Sequence, residues 1–200
     1  MSAVIDRVLE HPIVYRLWQA PFEAAKFTPL RRHNDLVHSR RVLDVGCGPG
    51  TNALAFQHAD YLGCDINPRY IDYAQRHFSG RFVLADATTW QPPDDERFDF
   101  VLVNSLLHHI DDPGVRQTLA RLRNVISEGG HLHLLELVTP ERGAVARWLA
   151  RADRGRFSRS VRGWVELCDQ LFEPIFVEAY CLKAVGVPLW NMVYYKGRPR

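Results

Sequence analysis

Three glycines occupy alternate positions directly after a short apolar segment, in the run Val42-Leu43-Asp44-Val45-Gly46-Cys47-Gly48-Pro49-Gly50. A strand that enters such a loop and then a helix lets backbone approach a ligand closely, because glycine has no Cβ. We expect the loop amides to point from the start of that helix at whatever binds. Open α/β sheets bind ligands at the carboxyl ends of their strands, so this loop predicts both the fold class and the place of a site.

The spacing of the glycines excludes two common nucleotide sites. The dinucleotide fingerprint needs G-x-G-x-x-G, whereas Gly46, Gly48 and Gly50 give G-x-G-x-G. The Walker pattern also fails, because no Gly-Lys-Ser/Thr follows. The carboxylate of Asp44 beside the loop would repel a pyrophosphate but suits a ligand that carries an ammonium group.

After residue 40, short apolar runs alternate with helical patterns, which predicts βαβ units and a mostly parallel sheet. The last two strands are joined by a short link, so we expect an antiparallel hairpin at one edge of the sheet. The fold class is therefore α/β, with a doubly wound, seven-stranded, mostly parallel sheet whose last strand is antiparallel. The predicted strands are Arg41–Val45, Tyr61–Cys64, Phe82–Ala85, Phe98–Val103, His131–Val138, Ile175–Lys183 and Trp190–Lys196, and the predicted helices are Asn52–His58, Tyr70–Phe78 and Val115–Ile126.

A chain of 200 residues suits a single domain. Residues 1–40 read as a helical, aromatic amino-terminal cover broken by prolines, and residues 41–200 as the main domain. Residues 141–169 are expected to cover the substrate side.

The chain has 25 Lys and Arg against 23 Asp and Glu, a balance that argues neither for nor against nucleic acid. No secretory or membrane-spanning segment and no CxxC pair is evident, which favours a reduced cytoplasmic protein.

Two more carboxylates follow the next predicted strands. Asp65 lies about 20 residues beyond the first glycine, where an acidic side chain can accept hydrogen bonds from ribose hydroxyls. Asp86 directly follows the third predicted strand. Three successive strands thus each bring an aspartate, counting Asp44, to one edge of the sheet.

Over roughly residues 40 to 138 this pattern resembles the class I S-adenosylmethionine-dependent methyltransferases. The resemblance implies S-adenosylmethionine as cofactor and S-adenosylhomocysteine as product. It also implies roles for individual residues. The methionine part would be held by the glycine loop, which comprises Asp44, Gly46, Cys47, Gly48 and Gly50, and Asn104 would lie at the same end. Asp65 would bind the ribose diol. Ile66 would contact one face of the adenine, Asp86 would accept from the adenine amino group, and Ala87 would lie near the ring.

Transfer of a methyl group from a sulfonium needs mainly an in-line geometry, and a general base helps only where the acceptor loses a proton. His108 and His109 follow the fourth strand and are the candidate catalytic residues, and Glu136 is a further candidate near the acceptor. The alternative is that one histidine caps or packs a helix. His131 and His133 lack Cys or carboxylate partners at ligand spacing, so no metal site is expected.

The acceptor is expected to be a small molecule, since the fourth strand does not continue as the Asn/Asp-Pro-Pro-aromatic motif of amino-methylating nucleic-acid enzymes. Seven arginines between Arg142 and Arg162 could meet an anionic acceptor or form a solvated cationic face. The aromatic residues Tyr15, Trp18, Trp148 and Trp164 could line an apolar pocket or simply pack the cover. A nucleic-acid methyltransferase and a non-catalytic cofactor-binding module remain alternatives, while the glycine spacing disfavours a nicotinamide oxidoreductase.

Overall fold

A computed structural model describes residues 22, 24–93, 95–139, 157–184 and 187–200. Most of the predicted amino-terminal cover, and most of the predicted substrate-side cover at 141–169, lies outside these ranges. Tyr15, Trp18 and Trp148 also lie outside the described ranges, as do five of the seven arginines between Arg142 and Arg162. No helix among the described residues is long and apolar enough to cross a bilayer.

The described chain forms one seven-stranded sheet in the order β3-β2-β1-β4-β5-β7-β6. The first five strands are parallel, and β7 runs antiparallel to both β5 and β6. This confirms the predicted fold class and the hairpin at one edge. The strands are β1 (Arg41–Val45), β2 (Asp60–Asp65), β3 (Arg81–Leu84), β4 (Phe98–Asn104), β5 (Ile126–Leu137), β6 (Phe172–Ala184) and β7 (Val187–Pro199).

The α-helices of the described ranges are α1 (Thr28–His33), α2 (Pro68–His77), α3 (Asp112–Val125) and α4 (Val161–Cys168). Side-chain caps begin three of them: Asn67 accepts from the amide of Arg69, Asp111 from Gly114, and Ser160 from Gly163. Such caps satisfy amides that have no partner within the helix. The helical run is interrupted at Phe27, and Pro29 lies in the first turn of α1, where its missing N–H costs nothing.

Apolar residues cover both faces of the sheet. One cluster packs α3 and α4 against the strands around Leu119, Trp164 and Phe172. The other joins Phe27 and Leu30 of the amino-terminal region to residues such as Phe56 and Phe100. Burial on both faces explains why β1 and β4 are apolar without alternation.

Two local predictions are wrong. The helix expected at Asn52–His58 is a 3-10 helix of five residues, Thr51–Ala55, with Gly50 in the left-handed region before it. The fifth strand, predicted to begin at His131, begins at Ile126, and its pairing with β4 shifts register between Phe98 and Phe100. A bulge of this kind inserts extra residues without ending the strand.

Candidate cofactor and acceptor site

The residues predicted at the carboxyl ends of the parallel strands do lie together, along the edge of the sheet that these strand ends form. Asp65 ends β2 and pairs with Leu84, the last residue of β3. The carbonyl oxygen of Asp65 accepts from the amide of Ala85 at 3.0 Å, which leads directly to Asp86. Asn104 ends β4. The parallel topology therefore brings together groups from three strands around the glycine loop.

Each of the three loop glycines has a positive φ: +74° at Gly46, +55° at Gly48 and +86° at Gly50. Side chains rarely adopt this conformation. A Cβ on Gly50 would also lie 2.8 Å from the Cβ of Ala74, and one on Gly46 would lie 2.9 Å from Leu106. The glycines thus serve both backbone conformation and close packing against α2 and the residues after β4.

The loop amides do not point outward as predicted. The amides of Gly46 and Cys47 both donate to the carbonyl oxygen of Cys64, at 2.8 and 2.9 Å, and that of Gly50 donates to Cys47. The amide of Gly48 donates to the side chain of Asp65 at 2.9 Å, and a short 3-10 helix, Thr51–Ala55, follows the loop. The loop amides therefore hold the loop against β2 and position a side chain.

That side chain is Asp65. Its Oδ2 accepts from the amide of Gly48 at 2.9 Å, and its Oδ1 accepts from the amide of Asn67 at 2.8 Å. Burial raises the pKa of Asp65, while these amides oppose the shift. Each carboxylate oxygen can accept more than one hydrogen bond, so a vicinal diol could still bind.

Ile66, the next residue, has 67% of its surface exposed although it is large and apolar. An exposed isoleucine beside the acidic residue is the arrangement expected for the face that meets an adenine ring. Asp86 is exposed, and its Oδ1 accepts from the amide of Thr88 at 2.8 Å and from its hydroxyl at 2.7 Å. Ala87 is half-buried and accepts from the Thr118 hydroxyl through its carbonyl oxygen at 3.3 Å.

Asp44 is fully buried, and its environment was not evident from the sequence. Its Oδ2 accepts from the Nδ2 of Asn52 at 2.9 Å and from the hydroxyl of Tyr61. Its Oδ1 has no hydrogen-bond partner among the residues that the structure describes. Burial is the main reason that the pKa of Asp44 rises to about 6, and the nearby charge of Asp65 adds to the shift.

A small cavity of about 40 Å³ lies beside the loop, lined by Gly46, Gly48, Asn52, Asn104 and Ser105, with Cys47 and Lys26 also in its wall. The Nζ of Lys26 donates to the hydroxyl of Ser105 at 3.4 Å, across 79 positions of sequence. Ser105 has a φ of +56°, a rare conformation for a residue other than glycine. Sequence patterns give no signal for either residue.

The donor set fits the predicted cofactor. A diol acceptor at Asp65, an exposed apolar face at Ile66 and a buried carboxylate with an orphaned oxygen at Asp44 match the ribose, adenine and ammonium groups of S-adenosylmethionine.

The two candidate histidines differ in environment. His108 is buried, and its Nδ1 lies 2.7 Å from Oε2 of Glu136. His109 is exposed, with its ring centre 4.1 Å from that of His108. Glu136 is completely buried beneath this turn. The pairing of Glu136 with His108 is therefore a tertiary contact that joins two of the predicted residues.

Arg159 supports the same turn and is unavailable to an acceptor. Its guanidinium donates to the carbonyl oxygens of Leu107 and Ile110, at 3.2 and 2.8 Å, and to Oδ1 of Asp112 at 2.7 Å. It also lies 4.6 Å over the ring of Trp164. Trp164 in turn is fully buried, so it packs α4 on the sheet and does not line a pocket.

Two other described members of the predicted sets, Arg162 and His133, have partners of their own. Arg162 pairs with Glu166 on the exposed side of α4. His133 is buried, stacks on Phe100 with ring centres 3.7 Å apart and meets the hydroxyl of Tyr194 at 3.0 Å. Within the described ranges no three His, Cys, Asp or Glu side chains are grouped so as to hold a metal ion.

The amino-acid sequence matches a known protein family over much of this site. A family model described as "Methyltransferase domain" matches residues 42–130. Residues 42–130 form a methyltransferase domain. The resemblance stated from the motifs is thereby confirmed, and the cofactor of this family is the predicted one.

Individual relatives are similar over part of their length. An uncharacterized methyltransferase of Mycobacterium tuberculosis is 38% identical over 104 residues, which is 50% of this chain and 51% of that protein. A trans-aconitate 2-methyltransferase of Methylobacterium radiotolerans is 33% identical over 98 residues, 46% of this chain and 36% of that protein. The chain thus spans about half the length, or less, of these curated relatives.

Solved structures show the same fold. The N-methyltransferase NodS of Bradyrhizobium japonicum, in complex with S-adenosylhomocysteine, superposes with a TM-score of 0.74 at 18% identity, covering 98% of this chain and 96% of that one. This likeness shows that the chain shares the fold of that protein.

Proposed function

We propose that this protein is an enzyme that transfers a methyl group from S-adenosylmethionine to a small-molecule acceptor. The observation that supports this most is the hydrogen bond of 2.9 Å between the amide of Gly48 and the carboxylate of Asp65. It joins the glycine loop to the acid expected at the ribose, with exposed Ile66 alongside.

In this proposal the cofactor supplies a methyl group already activated by a positive sulfur. The chain binds and orients it: Asp65 accepts from the ribose hydroxyls, Ile66 and Ala87 contact the adenine, and Asp86 accepts from its amino group. Asp44 and Asn104 lie toward the methionine end. Orientation can supply much of the rate of such a displacement.

A small organic acceptor is favoured over nucleic acid. Among the curated relatives is a trans-aconitate 2-methyltransferase, whose name gives a small carboxylic acid as its substrate. Lys26 is a cation at this edge of the sheet, beside Ser105. Residues 104–107 run Asn-Ser-Leu-Leu and lack the motif of amino-methylating nucleic-acid enzymes.

Calorimetry with S-adenosylhomocysteine tests cofactor binding. We expect the product to bind the wild type, and Asp65→Asn to weaken it roughly 10- to 100-fold, as expected when charge-assisted hydrogen bonds worth ~1.5–3 kcal/mol are lost. Asp60→Asn is the control, because Asp60 begins the same strand at the opposite edge and pairs with Arg41 there. Equal affinity in wild type and Asp65→Asn would contradict the assignment.

Turnover separates an enzyme from a binding module. Transfer of label from S-adenosylmethionine should be measured against small carboxylic acids, phenols, alcohols, amines and thiols, with trans-aconitate among them, and against RNA. Transfer to a small acceptor is the expected result. Cofactor binding without transfer to any of them, or transfer to RNA alone, would contradict the proposal.

A further inference from the structure

Asp44 lies behind the wall of the cavity beside the glycine loop and does not reach it. Its side chain has no exposed surface, and the residues that line the cavity include Asn52 but not Asp44. Oδ2 of Asp44 accepts from Nδ2 of Asn52 at 2.9 Å and from the hydroxyl of Tyr61. Asn52 is therefore the member of this group that a bound molecule can touch.

The carboxylate of Asp44 determines which way the amide of Asn52 faces. At neutral pH the carboxyl group is ionised, because burial raises its pKa only to about 6. An ionised carboxylate only accepts hydrogen bonds, so the group of Asn52 that faces it must be NH₂. A reversed amide would bring two unbonded acceptor oxygens together in a buried place, which is costly. Oδ1 of Asn52 is thus directed away from Asp44.

This oxygen has no partner within the protein. Only 8% of the surface of Asn52 is exposed, yet its Oδ1 accepts no hydrogen bond from the described residues. Among these residues, Oδ1 of Asp44 is the one side-chain polar atom that is both enclosed and without a partner. The oxygen of Asn52 therefore keeps contact with open space, and the space that Asn52 lines is the cavity shared with Gly46 and Gly48.

The charges around this oxygen indicate what it can bind. A carbonyl oxygen only accepts hydrogen bonds, so its ligand must carry a donor. The negative charge of Asp44 lies directly behind the Asn52 amide, and Asp65 adds a second negative charge where it accepts from the amide of Gly48. Both charges attract a cationic donor and repel an anion. An ammonium group fits this place.

The same cavity wall carries hydrogen-bond donors elsewhere. Nζ of Lys26 donates to the hydroxyl of Ser105, and that hydroxyl donates to Oδ1 of Asn104 at 3.2 Å. The NH₂ group of Asn104 is then left for another acceptor. A cavity with an acceptor place and a donor place suits a molecule that carries both an ammonium and a carboxylate group, as the methionine part of S-adenosylmethionine does.

We propose that Oδ1 of Asn52 accepts a hydrogen bond from the α-ammonium group of the cofactor, and that Asp44 is a positioning residue that fixes the Asn52 amide for this contact. The inference rests on the proposed function and deepens it, because it replaces a direct contact of Asp44 by one made through Asn52. Asn52 lies outside the glycine motif, so the motif alone gives it no such role.

Two ligands test the contact in the unchanged protein. S-adenosylhomocysteine and its deaminated analogue, which has hydrogen in place of the α-amino group, differ only in the group concerned. We expect calorimetry to show that S-adenosylhomocysteine binds roughly 10- to 100-fold more tightly, the range for a charge-assisted hydrogen bond. Equal affinities would overturn the inference. Failure to bind either ligand would instead refute the proposed function.

Two substitutions of Asn52 separate the contact from packing. Asn52→Ala removes the oxygen and should bring the affinities for the two ligands to within about threefold of each other. Asn52→Asp can share one proton with Asp44 and still present an oxygen to the cavity, so it should keep most of the wild-type ratio. The affinity for the deaminated analogue is the internal control. A merely structural role of Asn52 would weaken both ligands and leave their ratio unchanged, which would overturn the inference.

Asp44→Asn tests the positioning role. A neutral amide at position 44 no longer dictates the orientation of Asn52, so the ratio of the two affinities should fall. In Asn52→Ala the same change at position 44 should lower the ratio no further, because Asp44 acts through Asn52. A ratio that survives in Asn52→Ala and is lost when Asp44→Asn is added would show that Asp44 attracts the ammonium group directly, and it would overturn the positioning role.

Discussion

Substitution of Asp44 by asparagine should make the protein more stable above neutral pH and almost unchanged in acid. The side chain is fully buried, and its Oδ1 has no partner among the described residues. Asparagine has the same size and can keep one oxygen toward Tyr61 and Asn52. It places its NH₂ group where the native oxygen already lacks a partner, so the main change is the loss of a buried charge.

The magnitude follows from the pKa of Asp44, which burial raises to about 6 from 3.8. The folded state therefore holds this proton more tightly than the unfolded state, and the associated stability is complete below pH 4 and is lost as the pH rises through about 6. A shift from 3.8 to about 6 corresponds to about 3 kcal/mol. The difference in unfolding free energy between Asp44→Asn and wild type should grow by most of that amount, about 2.4 kcal/mol, from pH 4 to pH 8.

Urea unfolding of both proteins at pH 4, 5, 6, 7 and 8 measures this difference. The comparison at each pH cancels the other titrating groups, and any constant effect of the amide cancels between pH values. Parallel stability curves for the two proteins would refute the reasoning. If the carboxylate also attracts the ammonium group of the cofactor, Asp44→Asn should be more stable than the wild type at pH 8 and yet bind S-adenosylhomocysteine more weakly. Functional sites commonly show this exchange of stability for binding.

Gly50→Ala and Gly129→Ala both place a side chain at positive φ, which costs roughly 1–2 kcal/mol, but only the Cβ at Gly50 meets a neighbour, Ala74 at 2.8 Å. Urea unfolding should therefore show Gly50→Ala less stable than Gly129→Ala by a further ~1–3 kcal/mol, and equal losses would contradict the packing argument. Ile66→Ser should weaken S-adenosylhomocysteine binding by about fivefold to tenfold in calorimetry, since roughly 1 kcal/mol of apolar contact is lost, without lowering the midpoint of thermal unfolding. Val37→Ser, at an equally exposed apolar residue before β1, is its control and should change neither value.

The site at the edge of the sheet could be predicted because each part of it is local in sequence. Alternating apolar runs and helical segments specify a parallel sheet, and the parallel sheet places the residue after each strand at one edge. Asp65, Ile66, Asp86 and Asn104 reach that edge for this reason alone. Their binding roles stay predictions until affinities are measured.

The hydrogen-bond acceptors of the loop amides could not be predicted from the sequence in the same way. The rule that a glycine loop points its amides at a ligand assumes a following α-helix, and here the chain forms only five residues of 3-10 helix, Thr51–Ala55. The carbonyl oxygen of Cys64 on the neighbouring strand then takes the amides of Gly46 and Cys47. A hydrogen bond to an adjacent strand depends on register, which sequence periodicity does not resolve.

The sequence by itself thus determined the sheet, its edge and the identity of the residues that reach it, because backbone periodicity and chain direction suffice for these. Only the tertiary structure decided which side chains touch. The contact of Glu136 with His108 spans 28 positions, and that of Asp44 with Tyr61 spans 17. Such contacts depend on burial and on the packing of several elements at once, and it is they that determine where the protons and charges of this site lie.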